Sequence, residues 1–131
     1  MMAQSATYFA PQLYTAGGRY DTSFYEKAFN AIELRRFTNE DGSIHVAELS
    51  IHGAIFQIHE EKLSAGRLSP EGISGTTVLV GLFVPDVDTV IAQALEAGAT
   101  LVTPAQDYDY GYRQAEVKDP FGHTWMIEQV I

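Results

Sequence analysis

The side chains able to do chemistry in this 131-residue chain are few. There are four histidines, His45, His52, His59 and His123, and no cysteine. Without cysteine there is no disulfide framework, no zinc–thiolate site and no cysteine nucleophile. No serine stands in a nucleophile context, and no glycine-rich loop is placed to cradle a phosphate. What remains is proton transfer by imidazole near neutrality, hydrogen bonding by amides and phenols, and cation binding by carboxylates. His52 and His123 fall in or beside short turns and are expected to be solvated. His45 falls on a different strand from the other candidates and is expected to face the helices or solvent. Tyr108, Tyr110 and Tyr112 surround Gly111 beside Asp107 and Asp109. They could form a mobile flap over a site, or an ordinary loop with half-buried rings.

The elements that must position these groups occur twice. Asp21-Thr22 opens one helical pattern and Asp88-Thr89 opens another 67 positions later. Ala47-Glu48-Leu49 is echoed by Ala115-Glu116-Val117 after 68 positions. Gly53 then matches Gly122 with one extra residue in the second turn, Phe56 meets Trp125, and Ile58 meets Ile127. The order of these matches points to an internal duplication.

In the first copy, residues 8–15 alternate as a strand and a turn follows at Gly17-Gly18. Asp21 is placed to cap a helix whose apolar stripe is Phe24, Tyr25, Ala28, Phe29 and Ile32. Residues 33–38, 44–51 and 54–59 read as strands joined by the Asp41-Gly42 turn and the His52-Gly53 hairpin. In the second copy, residues 76–84 form a strand. Asp86 or Asp88 caps a helix carrying Val90, Ile91, Ala94 and Leu95 on one face, with Gly98 at its left-handed end. A short strand, 100–103, ends at Pro104, and 111–118 with 123–130 form a hairpin about Asp119–Gly122. The predicted organisation is one domain, with module one over residues 7–60, a connection over 61–75 and module two over 76–131. Neither module could bury its apolar sheet face alone.

The balance of 17 acidic against 8 basic residues gives a formal charge of −9. That works against nucleic acid and anionic membrane surfaces as partners. It would attract a cationic ligand, although solubility alone also accounts for it. The longest apolar run, 78–84, is far too short to span a bilayer. Residues 1–7 lack the basic and apolar regions of a secretion signal, so a cytoplasmic location is expected.

The βαβββ-βαβββ order, with Ser23–Phe29, Val84–Asp88 and the run Asp119-Pro120-Phe121-Gly122-His123-Thr124-Trp125, resembles the vicinal-oxygen-chelate superfamily of glyoxalases, bleomycin-resistance proteins and dioxygenases. Within it, the last run resembles the branch labelled PhnB-like. The resemblance covers residues 8–128. It implies an α+β fold in which two βαβββ modules make a cupped mixed sheet, with helices on the outer face, a ligand inside, and a homodimer around it. Metal-dependent members hold a divalent ion with four His, Glu or Gln side chains. Those positions correspond here to Ala10, Gln57, Leu79 and Met126. Two of these have no donor atom and one offers only a thioether, so no metal and no cofactor is expected.

Strand alternation then places Gln12, Tyr14, Gln57, His59 and Glu128 on the cup face, with apolar Leu79 and Met126. If Val117 lies opposite Thr124, Arg113 joins them. Three functions stay open. The first is metal-independent binding of a small molecule, cationic or aromatic. The second is an isomerase- or lyase-type enzyme using a displaced metal at Gln12, His59 and Glu128, or a hydrogen-bonded His59–Glu128 acid–base pair. The third is a dimeric interaction module without a ligand.

Overall fold

The structure is a computed structural model, and it describes residues 6–17 and 21–131. Gly18 of the expected first turn and most of the 1–7 segment lie outside the described residues. The strands are β1 (Gln12–Thr15), β2 (Ile32–Thr38), β3 (Ile44–Ile51), β4 (Ala54–Glu60), β5 (Leu79–Phe83), β6 (Thr100–Asp107), β7 (Tyr112–Lys118) and β8 (Thr124–Val130). The helices are α1 (Ser23–Phe29), the short α2 (Pro70–Ile73) and α3 (Val87–Ala97).

Each module makes its own four-stranded mixed sheet, in the orders β1-β4-β3-β2 and β5-β8-β7-β6. In each, the first strand runs parallel to the last and the other pairs are antiparallel. This is the α+β architecture expected, built as two sheets. The duplication is legible to the residue: Ala47 pairs with Ile58 as Ala115 pairs with Ile127. Even the irregularities recur, with a register shift between Glu33 and Arg35 matched by one between Leu101 and Thr103.

One apolar core serves both modules. Leu13, Ala47, Leu49, Phe56 and Ile58 from the first sheet join Ala115, Val117, Trp125 and Ile127 from the second, with Tyr25, Phe29, Val87 and Ala94 of the helices. The Trp125 ring sits 4.9 Å from that of Phe29 and 5.6 Å from that of Phe56, so the modules interlock through aromatic rings. Since both sheets turn these faces to the shared core, their other faces point outward.

Local chemistry moves several expected boundaries. The strand expected from residue 8 begins only at Gln12. Asp21 accepts the Ser23 N–H and hydroxyl, an Asx turn one residue ahead of the helix, whose N-cap is Thr22. Asn30, in the left-handed region at φ 57°, ends α1, which leaves Ile32 as the first residue of β2. Pro104 does not end β6. It lies on an edge strand within a break in the pairing between Thr103 and Gln106, where a missing N–H costs no ladder bond. Asp86 caps α3 by accepting from the Asp88 and Thr89 amides, with Gly98 at the other end at φ 120°.

Candidate functional site

The two outward sheet faces carry the candidate chemistry. On module one, the register stacks Gln12, Gln57, Glu48 and Arg35 in one row, and Tyr14, His59, Val46 and Phe37 in the next. The Gln12 amide is oriented at both ends. Its nitrogen donates to the Ala10 carbonyl at 3.1 Å and its oxygen meets His59 Nε2 at 2.5 Å. An amide oxygen can only accept, so Nε2 carries the proton and Nδ1 keeps its lone pair. Tyr14 stacks on the imidazole, with centroids 4.7 Å apart. Partial burial, and then the positive charges of His45 and Arg67, hold the His59 pKa below its ordinary 6.5. The ring is therefore neutral at physiological pH. Beside it, Gln57 donates to Glu48 at 3.2 Å, and Glu48 lies 3.8 Å from Arg35.

On module two, the outward face carries Leu79, Gly81 and Phe83 from β5, Thr124, Met126 and Glu128 from β8, and Tyr112, Gln114 and Glu116 from β7. Glu128 accepts from Gln114 Nε2 at 2.7 Å, and Gln114 Oε1 accepts from the Tyr110 hydroxyl at 2.5 Å. The other Glu128 oxygen lies 2.9 Å from where a Cβ on Gly81 would stand, so the carboxylate occupies room that any other residue at 81 would fill. Around it the rings of Tyr108, Tyr110, Tyr112 and Phe83 form an unbroken series, with successive centroids 5.3, 5.7 and 5.6 Å apart. Desolvation, then the negative potential of Tyr108, Glu128 and Asp109, raises the Tyr110 pKa above its ordinary value.

The sequence-predicted residues therefore fall on two separate sheets. Gln12, Tyr14, Gln57 and His59 are gathered on one outward face, and Glu128 lies on the other. No bond joins His59 to Glu128 in the chain, since each has a glutamine partner on its own sheet. Among the described residues no three His, Asp or Glu side chains converge as a metal site would need. The displaced set of Gln12, His59 and Glu128 is thus not assembled within one chain.

Arg113 requires correction. Lys118, not Val117, lies opposite Thr124, which puts Arg113 opposite Gln129 on the helix side. There it binds Asp107 and Asp88, each at 2.9 Å, and these two carboxylates raise its pKa further above the ordinary guanidinium value. The cause is the hairpin turn. Gly122 donates to the Asp119 carbonyl and Asp119 donates to that of His123, with Gly122 at φ 97°, so the loop holds a type I turn plus one left-handed residue. That added residue reverses every facing on β7. Gln114 and Glu116 occupy the places expected for Arg113 and Ala115.

His123 also departs from expectation, being buried and bonded through Nε2 to the Tyr14 carbonyl at 2.7 Å. Its neighbour Asp119, which sequence reasoning missed, is a buried carboxylate with four donors. They are the Tyr25 hydroxyl at 2.5 Å, Trp125 Nε1 at 3.0 Å, and the amides of Phe121 and His123. Burial first, then the Asp119 charge, pushes the Tyr25 pKa well above 10. Tyr25 belongs to module one and Asp119 to module two. The run from Asp119 to Trp125 is therefore a clasp between modules, and Gly122 lies so close to α2 that an added Cβ would stand 2.7 Å from Pro70 Cβ. His45 bonds Glu60 at 3.0 Å on the helix-facing side, as expected.

Paired βαβββ sheets with open outer faces and an interlocking helix side define a superfamily fold. The chain belongs to the Glyoxalase/Bleomycin resistance protein/Dioxygenase superfamily, which it matches over residues 17–127. Among its relatives is Mb0911c of Mycobacterium bovis, 37% identical over 125 residues, or 93% of this chain and 82% of the relative. At5g48480 of Arabidopsis thaliana is 31% identical over 117 residues, or 82% of this chain and 68% of that protein. The X-ray structure of the At5g48480 gene product superposes with a TM-score of 0.72 over 93% of this chain and 98% of that one, at 26% identity. TioX from Micromonospora sp. ML1 superposes with a TM-score of 0.71, at 25% identity over 95% and 97% of the two chains. The fosfomycin resistance protein FosX of Listeria monocytogenes, at 16% identity and a TM-score of 0.69 over 96% and 94%, shares the fold.

Proposed function

We propose that this chain is a metal-independent small-molecule-binding member of its superfamily, of the PhnB-like branch, acting as a cytoplasmic homodimer. The observation carrying the reading is the pair of outward sheet faces, which combine exposed apolar side chains with a few fixed polar groups. Ile32, Phe37, Leu79, Phe83 and Val130 are each at least half exposed or nearly so, at 64, 52, 48, 57 and 70%. Apolar surface on this scale is characteristic of ligand or protein contact. Placing module one of one copy against module two of another would cover both faces and enclose His59 with Glu128. The residues at the usual ligand positions, Ala10, Gln57, Leu79 and Met126, cannot hold a hard divalent ion, so the cup works by shape, hydrogen bonding and charge. No helix among the described residues is long and apolar enough to cross a membrane.

Two measurements test this. Analytical ultracentrifugation should give a dimer, and a broad thermal-shift library of small molecules should give saturable stabilisation. Failure of every compound to stabilise the folded protein would sink the binding reading. The dimer has a sharper test in mixing. Variants His59→Ala and Glu128→Gln, each weakened in binding a library ligand, should regain about a quarter of the sites when unfolded and refolded together, because half of the dimers are then mixed and each mixed dimer carries one intact cup of two.

One observation favours a second reading, an isomerase- or lyase-type enzyme. His59, neutral and fixed through Nε2–H, keeps a basic Nδ1 and could accept a proton next to a carbonyl. An activity found with a library ligand that survives His59→Gln would dismiss it.

A further inference from the structure

We propose that Glu128 and the rings about it form a recognition site for an organic ammonium group. The inference rests on the small-molecule-binding reading and deepens it by naming the ligand's chemistry. Glu128 is only 7% exposed, on an outward face, with no positively charged partner among the described residues. One oxygen is held by Gln114, in turn held by Tyr110. The second has no hydrogen-bond donor among the described residues and rests over Gly81, the one residue type that leaves it room. The free oxygen still meets the open side of the sheet, so a cation can reach it, and a largely buried carboxylate with no counter-charge gains from one arriving there.

The surroundings select the kind of cation. Metal ions require several oxygen or imidazole donors, and among the described residues no group of three His, Asp or Glu side chains gathers at Glu128, whose one amide partner, Gln114, is already engaged. Instead Phe83, directly opposite Glu128 in the pairing, meets Tyr112 edge to face at 5.6 Å, and Tyr110 and Tyr108 continue the series. Aromatic faces attract alkylated ammonium groups, which are weakly hydrated and shed water readily. Met126, next on the same face, adds a polarizable apolar wall. Module one, with a neutral imidazole at the equivalent place, offers no such site. The ligand is thus a molecule with an alkylammonium end.

The test uses choline and its uncharged isostere 3,3-dimethylbutan-1-ol, titrated into the wild-type dimer by calorimetry or ligand-detected NMR. Choline is expected to bind about tenfold tighter or better. Glu128→Gln, which keeps the shape and the bond to Gln114, should erase that preference. Phe83→Leu and Tyr112→Leu should each weaken choline severalfold. Gly81→Ala, which displaces the free oxygen, serves if Glu128→Gln fails to fold, and should likewise reduce the preference. Equal binding of the two probes, a preference that survives in Glu128→Gln, or no choline binding by the folded protein would overturn the inference. The binding reading would still stand if neutral library compounds bind; it falls only with the whole library.

Discussion

The two modules place different chemistry on one frame. Where module one has Gln12, Tyr14, Gln57 and His59, the equivalent positions of module two hold Gly81, Phe83, Met126 and Glu128. The first face presents a neutral imidazole and amides, which hydrogen-bond in either direction. The second presents an unneutralised carboxylate among rings and a thioether. The connecting hairpins diverge as well. The first is a two-residue turn with His52 at φ 51° and Gly53 at φ 92°, while the second is the longer loop holding Asp119 and His123. Duplication has left one copy with an imidazole and amides on its outer face, and the other with a carboxylate among rings and with the clasp.

The clasp predicts the largest asymmetry. Asp119→Ala strands the Tyr25 hydroxyl, the Trp125 indole N–H and two backbone amides in the core. The expected loss is about 3–5 kcal/mol by chemical denaturation, from several unsatisfied buried donors at once. The equivalent residue of module one, Ile51, plays no such part, and Ile51→Val should cost only about 1 kcal/mol. If Asp119→Ala were as mild, the clasp would be incidental. Next in size is the pair of turn glycines. Gly122→Ala combines a left-handed backbone with a Cβ overlapping Pro70, and should cost about 2–4 kcal/mol. Gly53→Ala meets nothing within 4 Å and should cost about 1–2 kcal/mol from backbone strain alone. Equal losses would show that α2 yields without resistance.

The smallest expected effect separates the two faces by pH. The folded state holds the His59 proton less tightly than the unfolded chain, for which 6.5 is the reference. Acidification through 6.5 therefore protonates the unfolded chain first and withdraws stability, down to the lowered folded pKa. Between pH 7.5 and 5.5 the melting temperature of wild type should fall slightly more than that of His59→Gln. Identical falls would place the imidazole in ordinary solvent.

Much of this architecture is legible in the sequence because duplication and alternation are sequence properties. The two-residue hairpin at His52-Gly53 pairs Ala47 with Ile58, and the matches of Ala47 with Ala115 and of Ile58 with Ile127 carry that pairing to the second module. That same match also contains the correction for Arg113. Ala115 has to face the core as Ala47 does, and only counting the turn as four residues turns it outward. Asp119 is hidden for another reason. Its value comes from Tyr25, 94 positions away, and no local spacing announces a contact of that range. His123 defies expectation because proximity to a turn usually means solvent, and here the turn is covered by α2 and β1. The separation of His59 from Glu128 is equally illegible, since alternation says which face a residue takes and nothing about where two sheets point.

The clasp has an evolutionary consequence. Asp119, His123 and Trp125 hold the modules together from the core side of the sheets, while His59, Gln57, Phe83 and Glu128 stand on the outward faces, apart from those bonds. Changes that threaten folding and changes to the chemistry of the outward faces thus fall on different sets of side chains. A chain built this way can exchange the chemistry of its open strands by a handful of substitutions and keep its clasp throughout.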